Sequence, residues 1–150
     1  RHVGPRAVPA LVAGVGVGLI GSGVFVTDPV GGFPPSGPGE EGADHAGDGG
    51  SASTRQGQLH NLCAIPIFAG IPIGGLAAAT TAVRTRDYRW ACYSAGSSLA
   101  MIYGFLLFGS AFRSGSRLAG RGGIFQRMSI AAGFGWLTAL SFRALSPLLE

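Results

Sequence analysis

The sequence predicts an all-α, polytopic transmembrane helix bundle with four spans, and three observations carry that prediction. Of 150 residues, 47% are hydrophobic and only 12% are charged, about half the charge of an ordinary soluble domain. The mean hydropathy of +0.37 is too high for a disordered chain, although 27 glycines and 9 prolines pull in that direction. The two tendencies occupy different segments. Apolar residues fall in runs long enough to cross a bilayer, whereas proline, glycine and acid collect between the first two runs.

The first span, about 7–27, carries no charge from Ala7 to Thr27 and would make a helix about 31 Å long at 1.5 Å per residue. Arg1 and Arg6 resemble the basic region of a signal peptide. The apolar run is longer than a signal core, however, and no small-residue cleavage pattern precedes Asp28, so a retained span is expected. Gly16-Val-Gly18-Leu-Ile-Gly21 matches a dinucleotide-binding fingerprint. That motif works only as a tight turn between a strand and a helix. Inside an uncharged span with no βαβ alternation it reads as helix packing.

Residues 31–55 form a Gly/Pro/acidic loop with almost nothing apolar beyond Phe33, so disorder is expected because burial cannot offset the ordering entropy. Its stretch Gly39-Glu-Glu-Gly-Ala-Asp-His-Ala-Gly-Asp-Gly-Gly50 lacks the spaced ligands and closing glutamate of a calcium loop, and no metal is expected there.

The second span, about 57–83, contains Pro66 and Pro72. Each removes a backbone donor and crowds the carbonyl four residues back, which predicts a kink. Ser94, Ser97, Ser98 and Tyr103 of the third span are candidate donors to the freed carbonyls. That third span, about 90–112, is uncharged. The fourth, about 122–144, holds Arg127 and Arg143 close enough to its ends to snorkel. Each span offers small residues at every fourth position: Ala10/Gly14/Gly18/Ser22, Pro66/Gly70/Gly74/Ala78, Gly96/Ala100/Gly104 and Ala131/Gly135/Ala139. Such ridges allow close helix approach in lipid. They predict a compact bundle, with a membrane-protein partner or homo-oligomer as further uses of the same surfaces.

All basic residues are arginine and the net charge is +4. The arginines flank apolar runs instead of lining one amphipathic face, so lipid headgroups and not nucleic acid are the expected partner. The excess of Arg1, Arg6, Arg84, Arg86 and Arg89 over the acidic first loop favours a cytoplasmic N-terminal tail and second loop. Arg113, Arg117 and Arg121 oppose that orientation.

Alternation of the spans brings Asp28, His60, Asn61, Arg113, Gln126 and Arg127 to one membrane face. Ionisable groups at that depth are costly enough to be site candidates. Asp28, His60 and Arg127 are therefore the candidate residues. A headgroup-level ion pair pinning the helices, such as Asp28 with Arg127, is the plainer alternative. No cofactor or metal is expected. The other histidines, His2 and His45, lie in the tail and the loop, and zinc needs more ligands than the second span supplies. Cys63 and Cys92 begin antiparallel spans, so they lie near opposite faces and cannot form a disulfide.

Gly18-Leu-Ile-Gly-Ser-Gly-Val-Phe-Val-Thr-Asp28-Pro29 with Val30-Gly-Gly-Phe-Pro-Pro35 resembles the signature of the bacterial membrane family called domain of unknown function 998. Gly57-Gln-Leu-His60 and Phe125-Gln-Arg127 are similar to its later motifs. The resemblance covers most of the chain outside Gly37–Ser53. It implies a single transmembrane domain equivalent to the last four helices of a six-helix bundle, in a chain that opens on Arg1 instead of methionine. It supplies no activity. The expected function is a multi-pass protein of the bacterial plasma membrane, a bundle more readily non-enzymatic than catalytic. A small transporter or channel-like subunit with a kinked second span is one alternative. An enzyme acting on lipid or headgroup at the membrane edge through Asp28, His60 and Arg127 is the other.

Overall fold

The computed structural model describes residues 7–28, 54–113, 116–118 and 120–145. Helix α1 (Ala7–Val24) leads to α2 (Arg55–Ile65), a π turn (Pro66–Gly70), α3 (Ile71–Arg84), α4 (Tyr88–Ala111) and α5 (Gly122–Leu145). Among the described residues there is no strand. The expected disorder of 31–55 lies outside the described residues up to Ser53. Arg55, placed by the sequence at the loop's end, is instead the first residue of α2.

The helix ends are set by polar residues beside the apolar runs. Thr54 caps α2, its hydroxyl accepting from the Gly57 N–H at 3.1 Å, which starts that helix two residues before the expected span. Asp87 caps α4 by accepting from the Trp90 N–H at 3.2 Å, which draws Tyr88 and Arg89 into the helix. At the end of α3 the chain closes a Schellman motif. The Asp87 N–H reaches the Ala82 carbonyl at 2.9 Å and the Arg86 N–H reaches Val83 at 3.1 Å, with Arg86 in the left-handed position (φ 60°) that glycine usually fills.

Among the described residues three continuous helices are long and apolar enough to cross a membrane: Arg55–Arg84 (30 residues), Tyr88–Ala111 (24) and Gly122–Leu145 (24). Helix α1 is shorter than the span expected of it. Its 18 residues reach about 27 Å, just under the roughly 30 Å hydrocarbon thickness. It stops at Val24, with Phe25 to Asp28 peeling away towards α2.

Neither proline breaks the second span. The chain widens into one π turn between Pro66 and Gly70 and resumes as α3 with Pro72 in its first turn, a usual way for a helix to absorb an obstruction. The change of neighbour happens there. Helix α2 packs on α1 and on neither α4 nor α5, whereas α3 packs along α4, and α4 along α5. The serines expected to serve the proline-freed carbonyls are used elsewhere. Ser98 donates to the Ser94 carbonyl at 2.8 Å, Ser94 accepts from Trp136, and Tyr103 is exposed.

The packing faces also differ from the predicted ridges. The buried stripe of α3 is Ile71, Gly75, Ala79 and Ala82; that of α4 is Ala91, Ser94, Ser98, Met101 and Gly104; that of α5 is Ser129, Gly133 and Trp136. Gly18 and Gly104 are the ridge residues that are buried, whereas Gly96, Ala100, Ala131 and Gly135 face outward. The core centres on Val15, Ile67, Ile71, Met101 and Trp136. Two buried hydrogen bonds tie α4 to α5: Trp136 Nε1 donates to Ser94 Oγ at 3.0 Å, and Ser129 Oγ donates to the Met101 carbonyl at 2.7 Å. Polar groups thus sit inside, with Ser94 and Ser129 at 0% exposure, while Ile20 and Phe142 stand outside at 70%.

Candidate functional site

The two ends of the bundle carry separate polar clusters. At the first, α1 ends beside the start of α2. The Asp28 carboxylate accepts from the Thr54 backbone N–H at 3.0 Å and from the Thr54 hydroxyl. It lies directly over Gly57, so close that any Cβ there would overlap it. Asp28 and Thr54 therefore form a two-residue cap on α2, where an anion is favoured by the unpaired N–H groups and the helix dipole. Glycine at position 57 leaves the space.

One turn further, the half-buried His60 puts Nδ1 2.9 Å from the Phe25 carbonyl. A carbonyl only accepts, so Nδ1 carries the proton and donates. The bond also satisfies a carbonyl released where α1 stops. Asp28 and His60 are thus brought to one junction, but Asp28 bonds to Thr54 and the imidazole is oriented by a backbone carbonyl.

Arg127 lies on the exposed side of α5 in its second turn. Among the described residues no ion pair joins it to Asp28. Helix α5 has no packing contact with α1 or α2, so alternation puts Arg127 at the same end of the bundle without bringing it to the junction. Thr54, which alternation did not single out, completes the cap. Its signal was a Thr-x-x-Gly start immediately before an uncharged run.

At the opposite end, Asp87 and Arg143 form an ion pair across the α3–α4 turn and α5. The Arg143 guanidinium also lies over the Trp90 ring at 5.1 Å from its centre, and Trp90 stacks on Trp136 at 6.5 Å. The Trp90 N–H above all holds the Asp87 carboxyl below the usual carboxylate value; burial opposes it, and Arg143 adds a further lowering effect. Alternation of the spans also brings Asp87 and Arg143 to one face, since they lie at the start of the third apolar run and the end of the fourth.

Among the described residues no group of three or more His, Cys, Asp or Glu is placed to hold a metal ion. Cys63 and Cys92 are free thiols.

A family model described as "Protein of unknown function (DUF998)" matches residues 1–143. The chain belongs to this family. No curated protein and no solved structure matches it. The match runs through both clusters of this DUF998 chain, from the Asp28 cap to Arg143, and it names no reaction for either.

Proposed function

We propose that the protein is a multi-pass integral membrane protein of the bacterial plasma membrane. In this reading it is a non-enzymatic helix bundle whose polar side chains hold the helices together. One observation carries it: large aliphatic and aromatic side chains such as Ile73, Leu106, Met128 and Phe142 stand exposed along helices long and apolar enough to cross a membrane, while Ser94, Ser98 and Ser129 are buried. An apolar exterior of that extent suits contact with hydrocarbon. At the α1–α2 junction Asp28 and Thr54 serve as a cap and His60 as the partner of Phe25. Expression with a fluorescent tag, alkaline carbonate extraction and vesicle flotation test the reading. Retention in the membrane pellet supports it, and a chain that stays in aqueous solution without detergent refutes it.

The π turn at Pro66–Gly70 favours a second reading, a small transporter or channel-like subunit, because such turns recur at functional sites. There Pro66→Ala or Pro72→Ala alters flux more than expression, and equal loss of both points to folding. For catalysis at the membrane edge, the orientation of the His60 ring by the Phe25 carbonyl is the supporting feature. A deletion phenotype fully complemented by His60→Gln ends that alternative. The outward ridge residues Gly96, Ala100, Ala131 and Gly135 remain surfaces for a second copy or membrane partner, which co-purification in mild detergent detects.

A further inference from the structure

At the Arg143 end, α3 forms the floor of a cavity of about 450 Å³, with Leu11 of α1 on one wall and Trp90, Trp136 and Leu140 on the other. Its floor is apolar, with Ile73 beside the small residues Gly70, Gly74, Ala77 and Ala78. The two threonines that line it, Thr81 and Thr85, return their hydroxyls to carbonyls of their own helix, so they add no free donor. The volume is in the range of ordinary ligand sites, which pair an apolar wall with a few placed polar groups.

The placed polar group is Arg143, at the mouth. Its guanidinium lies over the Trp90 ring, which stacks in turn on the buried Trp136. Arg143 Nη2 bonds to Asp87, while a guanidinium has five N–H donors, so the remaining donors can serve another anion. The charge around the opening is one-sided. Arg84, Arg86 and Arg89 stand in or beside the same turn, with Asp87 as its single acid. Arg86 holds the left-handed position at the end of α3, where glycine would relieve the backbone.

We propose that this cavity is a binding site for an anionic phospholipid, with one acyl chain lying on α3 between Leu11 and Leu140 and the phosphate bound by Arg143 at the mouth. The proposal rests on the membrane reading above. Apolar length and cationic mouth together select this occupant: an acyl chain matches the uncharged floor, and a phosphate matches the arginine excess. A partner helix would match the floor alone.

The test uses the full chain purified in a neutral detergent, with native mass spectrometry of bound lipid and flotation on phosphatidylcholine vesicles with and without phosphatidylglycerol. The wild type is expected to retain phosphatidylglycerol at least about fivefold over phosphatidylcholine, the preference one well-placed cation gives. Arg143→Gln is expected to abolish that preference. Ala77→Phe, which fills the floor and leaves the charges in place, is expected to lower retention of both lipids. Helix content by circular dichroism establishes that each variant folds, and Arg86→Gly supplies a variant that relieves backbone strain while lowering the preference.

Equal retention of the two lipids by the wild type overturns the site, as does unchanged phosphatidylglycerol retention in folded Arg143→Gln. If Ala77→Phe releases a co-purifying polypeptide and leaves lipid retention unchanged, the occupant is a protein helix and the proposal falls. Flotation on pure phosphatidylcholine separates the two readings. A chain that floats there without preferring the anionic lipid refutes the site alone, and one that floats on neither vesicle refutes both.

Discussion

Substituting alanine for Gly18 is expected to open the α1–α2 contact. A Cβ at position 18 would lie 2.6 Å from the Cys63 carbonyl oxygen, with Ile67 Cγ1 at 3.4 Å and Pro66 Cβ at 3.5 Å. The obstacle is backbone, so no side-chain rotation relieves it. Restoring even a tight C–H···O distance of about 3.3 Å requires the helices to part by about 0.7 Å. Overpacking of this kind costs about 1–3 kcal/mol, offset by the roughly 1 kcal/mol that alanine gains over glycine within a helix. Gly14 has nothing within 4 Å of its Cβ position, so Gly14→Ala takes the helix gain alone. The difference between the two variants therefore isolates the steric cost. Cys63 provides the assay, since its side chain packs against Gly21 in the same interface. In a Cys92→Ser background, maleimide labelling of Cys63 measures how often the interface opens. A cost of 1–3 kcal/mol corresponds to labelling about 5 to 150 times faster in Gly18→Ala than in Gly14→Ala. Equal rates would refute the close approach of α1 and α2.

Three further outcomes test the polar clusters. Asp28→Ala removes the carboxylate from Thr54 and should cost about 1 kcal/mol, most of it recovered by Asp28→Asn, as read by thermal unfolding in detergent. A catalytic carboxylate would lose function in both variants. In a double-mutant cycle, Trp136→Phe and Ser94→Ala should couple by about 0.6–1.7 kcal/mol through their shared hydrogen bond; additive effects would show the bond contributes nothing. Asp87 is held below its usual value of 3.8, so the folded state binds its proton less tightly than the unfolded chain. Its contribution is full above that value and is lost as pH falls through the lower folded value. The unfolding midpoint should therefore drop below about pH 4, and Asp87→Asn should remove that part of the dependence.

The helices were legible because crossing a bilayer demands long uncharged stretches, and few chains produce them otherwise. Their ends were displaced because charge counting stops at Arg55 and Arg89, whereas helices begin at caps. Thr54 and Asp87 lie just beyond the apolar runs and extend the helices past those charges. The packing faces were harder to read. With 27 glycines, every helix offers several small-residue stripes, and spacing cannot say which one meets a neighbour. Hydrogen-bonding groups decide it here, through Ser94, Ser129 and Trp136. Of the candidate site, alternation brought Asp28 and His60 to one junction because they lie at adjoining ends of consecutive helices. It could not say that α5 stays away from α1 and α2, which leaves Arg127 apart.

The π turn has a consequence for which changes in chain length this sequence can accept. It houses one surplus residue between two α-helical stretches, and each residue of an α-helix advances about 100° around the axis. Deleting any one residue of Pro66–Gly70 would remove the surplus and rotate α3 by that angle relative to α2. Ile71, Gly75 and Ala79 would then turn away from α4 while Gly57 and Cys63 stayed against α1. Point substitutions in the segment leave this phase intact. The five residues act as a spacer whose count, more than its chemistry, keeps the two halves of one helix aimed at different neighbours.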